Sequence, residues 1–158
     1  MPQSPIPVFE AADEISANAP VIVILQPAGE GLGPRAKALD AAMGGIVSRA
    51  CSADAALAEC GACIDLIAPQ AVSTRRVIVL ALGKADVLTP LSLARAGGSL
   101  AAHLEGKGED EATLVLDPVA GAGLSVADIM ARVALGLRLR RYRFDLRNKR
   151  PIAADDKA

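Results

Sequence analysis

The run Val77–Lys84, VIVLALGK, constrains this chain more than any other stretch. Val77, Ile78, Val79, Leu80 and Leu82 leave no polar face, which is how a strand covered on both sides reads. The reading ends that strand in a sharp turn at Gly83. Thr89 then offers a hydroxyl N-cap, and Pro90 stands at a first helical position where no N–H is needed. A doubly buried strand that hands over to a capped helix predicts an α/β layer architecture. No group in the run is equipped for chemistry, and Lys84 reads as a surface residue at the strand's end.

Such a strand needs a core to cover it. At 158 residues the chain suits one domain, and folding at this size buries roughly 68–70% of the unfolded surface. Hydrophobic residues make up 52% of the chain but aromatics only 2%, with no Trp. The core is therefore built from Val, Leu, Ile and Ala, and stacking platforms for single-stranded nucleic acid are not available. Three cysteines, an odd count, fit a reducing compartment better than a disulfide scaffold. No apolar run approaches the ~20 residues of a membrane span, and the N-terminus lacks a basic segment before an apolar one. The expectation is a soluble, cytoplasmic chain.

The net charge of −1 conceals an asymmetry. Residues 125–158 hold nine Lys/Arg against four Asp/Glu, or +5, while residues 1–124 hold eight against fourteen, or −6. The basic end has the charge to meet phosphate, an acidic partner or another domain. The plainer reading is the solvated face of a last helix.

Along the chain, Ile6–Phe9 reads as a short opening strand, able to add an antiparallel edge, and Val21–Leu25 as a second, apolar strand. The loop QPAGEGLG follows, and Gly33-Pro34 opens a helix in which Ala36, Leu39 and Met43 recur at helical spacing. Gly44-Gly45 is its expected stop. Residues 46–59 allow one or two short helices. Ala62–Ala68 reads as a strand ended by Pro69, and Thr113–Asp117 as another. Ser125 with Asp128 nearly matches a capping box, and Val126, Ile129, Met130, Val133 and Leu137 form a helical apolar stripe. Periodicity fails after RRYRFDLRNKR. Strands alternating with helices predict a parallel or mixed sheet covered on both faces.

Several residues invite a chemical reading. Cys60-Gly-Ala-Cys63 has C-x-x-C spacing, but a closed zinc site needs about four ligands, and only Cys51 and the distant His103 remain. The pair enters a strand rather than a helix N-terminus, so no lowered thiol pKa is expected. His103 falls beside the buried stripe Leu93, Gly97, Leu100 and Leu104, with no carboxylate or nucleophile assignable to it. Gly29-Glu-Gly31-Leu-Gly33 has the strand-to-helix context of a phosphate loop but fails as G-x-G-x-x-G. Gly121-Ala-Gly123 is a second such loop, and two of them on adjacent strand ends have the form that brackets a nucleotide diphosphate. Tight turns are the commoner use. Gly106-Lys107-Gly108 and the carboxylates at 109–111 read as a charged surface turn with, at most, weak cation recruitment. No assembled active site is expected: no catalytic, cofactor-binding or metal-binding residue is assigned.

Taken in order, four segments resemble the N-terminal domain of the leucyl aminopeptidase (cytosol aminopeptidase) family. PRAKALDAAMGG (34–45) resembles the family's first helix with its Gly-Gly end. RVIVLALGKADVLTPLSLARAGGSLAAHL (76–104) resembles its central strand, Gly-Lys turn and following helix. The helix from Ser125 to Leu139 occupies the expected place, and LRLRRYRFDLRNK (137–149) resembles the Tyr-x-Phe-Asp signature that closes the domain. The resemblance covers about residues 18–150.

It implies a macro-domain-like three-layer α/β/α sandwich with a mixed, mostly parallel sheet. Residues 1–17 would form an N-terminal segment with an edge strand, 18–148 the domain, and 149–158 a linker. In the family a larger catalytic domain follows, with two divalent metals (Mn or Zn) and signatures of the NTDAEGR and KGxTFDSGG kind, which are absent here. The implied role is non-catalytic: packing on that catalytic domain and helping to organise a hexamer, with Arg138, Arg140, Arg141 and Arg143 as a contact face. The alternative is a macro-like module for ADP-ribose or another nucleotide, against which stands the lack of an Asn-rich loop. Nucleic-acid binding through the basic cluster is disfavoured by the missing aromatics and the acidic total.

Overall fold

The computed structural model describes Ile15 and residues 19–148, except for the side chains of Ala56 and of residues 141–148. The chain runs β1 (Val21–Ala28), α1 (Pro34–Ala42), α2 (Ile46–Ala53), a 3-10 turn (Ala55–Ala58), β2 (Cys63–Ile67) and β3 (Arg76–Lys84). It continues through a second 3-10 turn (Ala85–Val87), α3 (Pro90–Gly106), β4 (Thr113–Val115) and α4 (Val126–Asn148). The sheet order is β2-β3-β1-β4. β1 is parallel to both β3 and β4, while β2 pairs antiparallel with β3. An α/β fold with helices flanking a mixed, mostly parallel open sheet is thus what the alternation of apolar strands and helices predicts.

The two central strands alternate their side chains between two cores. Val21, Val23, Leu25, Ile78, Leu80 and Leu82 pack beneath α3 and α4 with Leu93, Leu100, Ile129 and Val133. Ile22, Ile24, Val77, Val79 and Ala81 pack on the opposite face with Ala36 and Met43 of the α1 region and Val47 of α2. Both faces are buried, as the absence of polar residues in VIVIL and VIVLAL requires.

α3 and α4 touch backbone to backbone. A Cβ on Gly97 would lie 2.0 Å from the Val133 carbonyl oxygen, and one on Gly136 would lie 1.9 Å from that of Ala94. The two helices, each following a parallel strand onto this face, cross in close contact here, and only glycine permits the approach.

The elements differ from the sequence reading at their ends. β1 runs on past Leu25 to Ala28 because the ladder is bulged: Gln26 pairs with Ala81, Pro27 with Gly83, and Leu82 is the extra residue. A bulge accommodates Pro27, which has no N–H to give. The expected turn at Gly83 is this same bulge, with φ +83° at Gly83 and the strand continuing to Lys84. β4 stops at Val115, leaving Leu116 and Asp117 outside the ladder. Residues 46–59 resolve into α2 and a 3-10 turn. The antiparallel edge is supplied by β2. The opening strand at Ile6–Phe9 and the linker at 149–158 lie outside the described residues.

Candidate functional site

Open α/β sheets take ligands outside the C-terminal ends of strands whose connections leave toward opposite faces. β1 and β4 are such a pair, because α1 follows β1 onto one face and α4 follows β4 onto the other. A crevice of about 130 Å³ lies there, lined among others by Gln26, Glu30, Gly31, Gly33, Asp117 and Val119. The Gly29–Gly33 loop therefore reaches the place expected of a phosphate loop. The second glycine-rich loop borders the crevice through Pro118, Val119 and Ala120, while Gly121 and Gly123 lie outside its lining.

Two side chains govern this crevice. The Gln26 amide donates through Nε2 to the carbonyls of Pro27 (3.2 Å), Glu30 (2.9 Å) and Gly31 (3.3 Å), and so ties the loop down. The buried Asp117 carboxylate accepts from the N–H groups of Arg35 (3.1 Å) and Ala36 (3.0 Å). These are the first-turn donors of α1 that would otherwise bind an anion. A Cβ on Gly33 would fall 2.2 Å from that of Asp117, which is why the loop ends in glycine. The chain thus places its own carboxylate where a phosphate would sit.

A charged cluster lies elsewhere, around the start of β3. Arg76 bonds the Asp65 carboxylate and also approaches Glu109 at 3.4 Å; Arg75 bonds Glu109. His103 on α3 reaches the same Asp65 oxygen through Nε2 at 2.9 Å. The sequence assigned no carboxylate to His103, and Asp65, 38 positions away, corrects that. Glu109 corrects a second expectation: it is only 7% exposed and engaged by both arginines, not part of a solvated acidic run. Hydrogen bonding from Arg75, then from Arg76, holds its carboxyl below the usual range despite desolvation. Asp110, Glu111 and Lys107 are exposed. The cluster presents no nucleophile beside His103; it clamps β2, β3 and the end of α3.

The thiols sit in unactivating surroundings. Burial, and secondarily Asp65, pushes Cys63 up to about 11, and burial also raises Cys60 and Cys51. Cys60 Sγ contacts the Ser92 carbonyl at 3.3 Å. All three cysteines are free. Among the described residues no group of three or more His, Cys, Asp or Glu is placed to hold a metal ion. Lys84 is exposed at the end of β3, and Arg138 and Arg140 are exposed on α4. The side chains of Arg141 and Arg143 lie outside the described residues. Among those residues no helix is long and apolar enough to cross a membrane.

The features that sequence reasoning missed are Gln26, Asp65, Asp117 and the Arg75/Arg76–Glu109 link. A lone polar residue closing an otherwise apolar strand was the available signal for Gln26 (VIVILQ) and Asp117 (TLVLD). Their partners are not readable that way.

The profile describing the N-terminal domain of the cytosol aminopeptidase family matches residues 21–150. The chain belongs to this family. A probable cytosol aminopeptidase of Agrobacterium fabrum is 36% identical over 147 residues, covering 92% of this chain and 28% of that protein. Another, of Nitrobacter hamburgensis, is 34% identical over 122 residues, covering 77% of this chain and 24% of that protein. The chain thus spans about a quarter of the length of these cytosol aminopeptidase relatives. Among solved structures, a mutant of tomato leucine aminopeptidase superposes with a TM-score of 0.61 at 19% identity, over 78% of this chain and 25% of that one. The bottromycin maturation enzyme BotP, in complex with Mn, gives 0.51 at 20% identity, over 80% of this chain and 24% of that one. At those identities the likeness establishes the fold alone.

Proposed function

We propose that this domain is a non-catalytic packing unit of a cytoplasmic cytosol-aminopeptidase-type protein. The observation that carries the reading is the family match over residues 21–150 on a domain whose α1 N-terminal donors at the strand-end crevice are taken by Asp117. The release of N-terminal residues from peptides belongs, on this reading, to a catalytic portion such as the relatives' remaining length would hold. Divalent metals there would polarise the scissile carbonyl and activate water. This domain would pack on that portion and help to organise a hexamer, with Arg138 and Arg140 on its exposed basic face. The name cytosol aminopeptidase carried by the relatives supports the cytoplasmic placement. Incubation of the purified chain with a leucine anilide and Mn²⁺ or Zn²⁺ is expected to give the rate of the blank. Turnover that follows the chain through purification would overturn the reading.

A second reading, a macro-like module for ADP-ribose, is favoured by the crevice at the ends of β1 and β4. Against it, Asp117 both occupies the α1 donors and repels a diphosphate. Calorimetric titration with ADP-ribose separates the two. Absence of heat at high micromolar ligand removes the module, and saturable heat would favour it over the packing unit.

A further inference from the structure

We propose that the crevice at the ends of β1 and β4 is a socket for an alkylammonium group, filled in the assembled protein by a lysine side chain of the portion on which this domain packs. The inference rests on the packing role proposed above and deepens it.

Three polar side chains line the crevice: Gln26, Glu30 and Asp117. The Gln26 amide fixes its own orientation. Its partners, the carbonyls of Pro27, Glu30 and Gly31, are all acceptors, so the nitrogen faces them and the oxygen faces away. Gln26 is only 6% exposed, and its Oε1 has no hydrogen-bond partner among the described residues. Of the described side-chain atoms, Asp65 Oδ1 is the one both unpartnered and sealed from solvent. Gln26 Oε1 therefore opens onto the crevice, an uncommitted acceptor in a buried wall.

Asp117 adds charge to that acceptor. Its bonds to the Arg35 and Ala36 N–H groups use about half of the roughly four lone-pair sites of a carboxylate. Glu30 stands exposed at the rim, and the lining contains no Lys or Arg. The side chains facing the crevice thus offer acceptors and negative charge, with no cationic side chain among them to balance it.

Chemistry selects the occupant. An anion is repelled by Asp117, and a divalent metal asks for six or so oxygen ligands in a set that the described carboxylates do not assemble. A guanidinium spreads five donors in a plane, more than three acceptor side chains satisfy. An ammonium brings three N–H donors on a point charge, one for each of those side chains. Pro27 and Val119 supply apolar wall for the alkyl stem. A volume of about 130 Å³ has room for one such side chain and not for a peptide.

Titration of n-butylamine hydrochloride, the lysine side chain without its backbone, into the isotope-labelled full chain tests this by NMR at constant ionic strength. The expected result is saturable shifts of the Gln26, Gly31, Gly33 and Asp117 amides, with a millimolar Kd. N-acetyl-lysine amide should move the same amides. Butyltrimethylammonium, which has the charge but no N–H, should bind at least about tenfold more weakly. Glu30→Gln, at an exposed position, is expected to weaken butylamine about threefold, and Asp117→Asn at least about tenfold. No saturable shift at about 100 mM butylamine, or equal binding of the quaternary salt, overturns the socket. Binding of butylamine without binding of acetyl-lysine amide overturns lysine as the occupant. Should Asp117→Asn not fold, the comparison of the two amines on the wild type decides. None of these outcomes bears on the non-catalytic reading, which fails only on turnover in the anilide assay.

Discussion

On one face of the sheet, α3 and α4 begin with caps drawn from their own sequence; on the other, α1 and α2 begin at glycines and borrow a carboxylate. Thr89 Oγ1 accepts from the Ser92 N–H at 3.1 Å while Ser92 Oγ accepts from the Thr89 N–H at 3.0 Å, a reciprocal box at the start of α3. Ser125 Oγ likewise accepts from the Asp128 N–H, and Asp128 accepts from the Ser125 hydroxyl at 2.7 Å. Neither Gly33 nor Gly45 has a side chain to offer α1 or α2. Asp117 caps α1 from the end of β4, and the buried Asp40 caps α2 by accepting from Val47 (2.7 Å) and Ser48 (3.2 Å).

The difference separates two kinds of stability. The long helices carry their start signals with them and then lock through the Gly97 and Gly136 contacts. The short helices, of nine and eight residues, are below the length at which a helix persists alone. Their caps form only once the sheet and the neighbouring helix are in place. The same borrowed carboxylate is what closes the crevice to anions.

The largest effect is expected from breaking the long-helix layer. Gly136→Ala would gain up to ~1 kcal/mol of helix propensity. Its Cβ, however, would meet the Ala94 carbonyl, a backbone atom that cannot rotate away. A net loss of about 3 kcal/mol is expected in urea unfolding. A stabilised variant would mean that the two helices are not in contact there.

Removing the borrowed cap comes next. Asp117→Ala strands two first-turn donors and deletes charge-assisted bonds, for an expected loss of about 2–3 kcal/mol. Hydrogen exchange should rise at Arg35 and Ala36 while α3 stays protected; equal acceleration in both layers would break the comparison. Thr89→Ala is expected to cost less, about 1 kcal/mol, because its cap is exposed. Thermal unfolding that ranked Thr89→Ala above Asp117→Ala would reverse the account.

How much of this was legible follows from where each signal lies. VIVIL and VIVLAL declare buried strands because both faces must be apolar, and Thr89-Pro90 and Ser125-x-x-Asp128 declare helix starts within four residues. Asp117 and Ala36 are 81 positions apart, and Asp65 and His103 are 38 apart. Neither spacing carries a periodicity, so no local pattern announces the pair. The glycine-rich loop illustrates the cost of that gap. Gly29–Gly33 has the form of a ligand loop, and only the fold shows that its ligand is Asp117.

The smallest effect is expected at the α4 cap. Hydrogen bonds from the Ser125 hydroxyl and then its N–H hold the Asp128 carboxyl below its ordinary 3.8. A depressed folded-state pKa contributes stability that is present above about pH 4 and lost as pH falls through the folded value. Asp128→Asn should therefore lower stability slightly at pH 7 and flatten the acid limb of the stability–pH curve, the two curves converging as pH falls. A variant curve as steep as the wild type would remove Asp128 from the cap's energetics.

At the ends of β1 and β4 the α1 donors are taken by Asp117 from within the chain, and this supports the proposal of a packing unit over a ligand site. Calorimetric titration of inorganic pyrophosphate into the wild type and into Asp117→Ala tests it most directly. The account predicts no heat of binding for the wild type and saturable heat for the variant, whose freed α1 donors form an anion site. Saturable heat in the wild type, equal to or greater than the variant's, would contradict it.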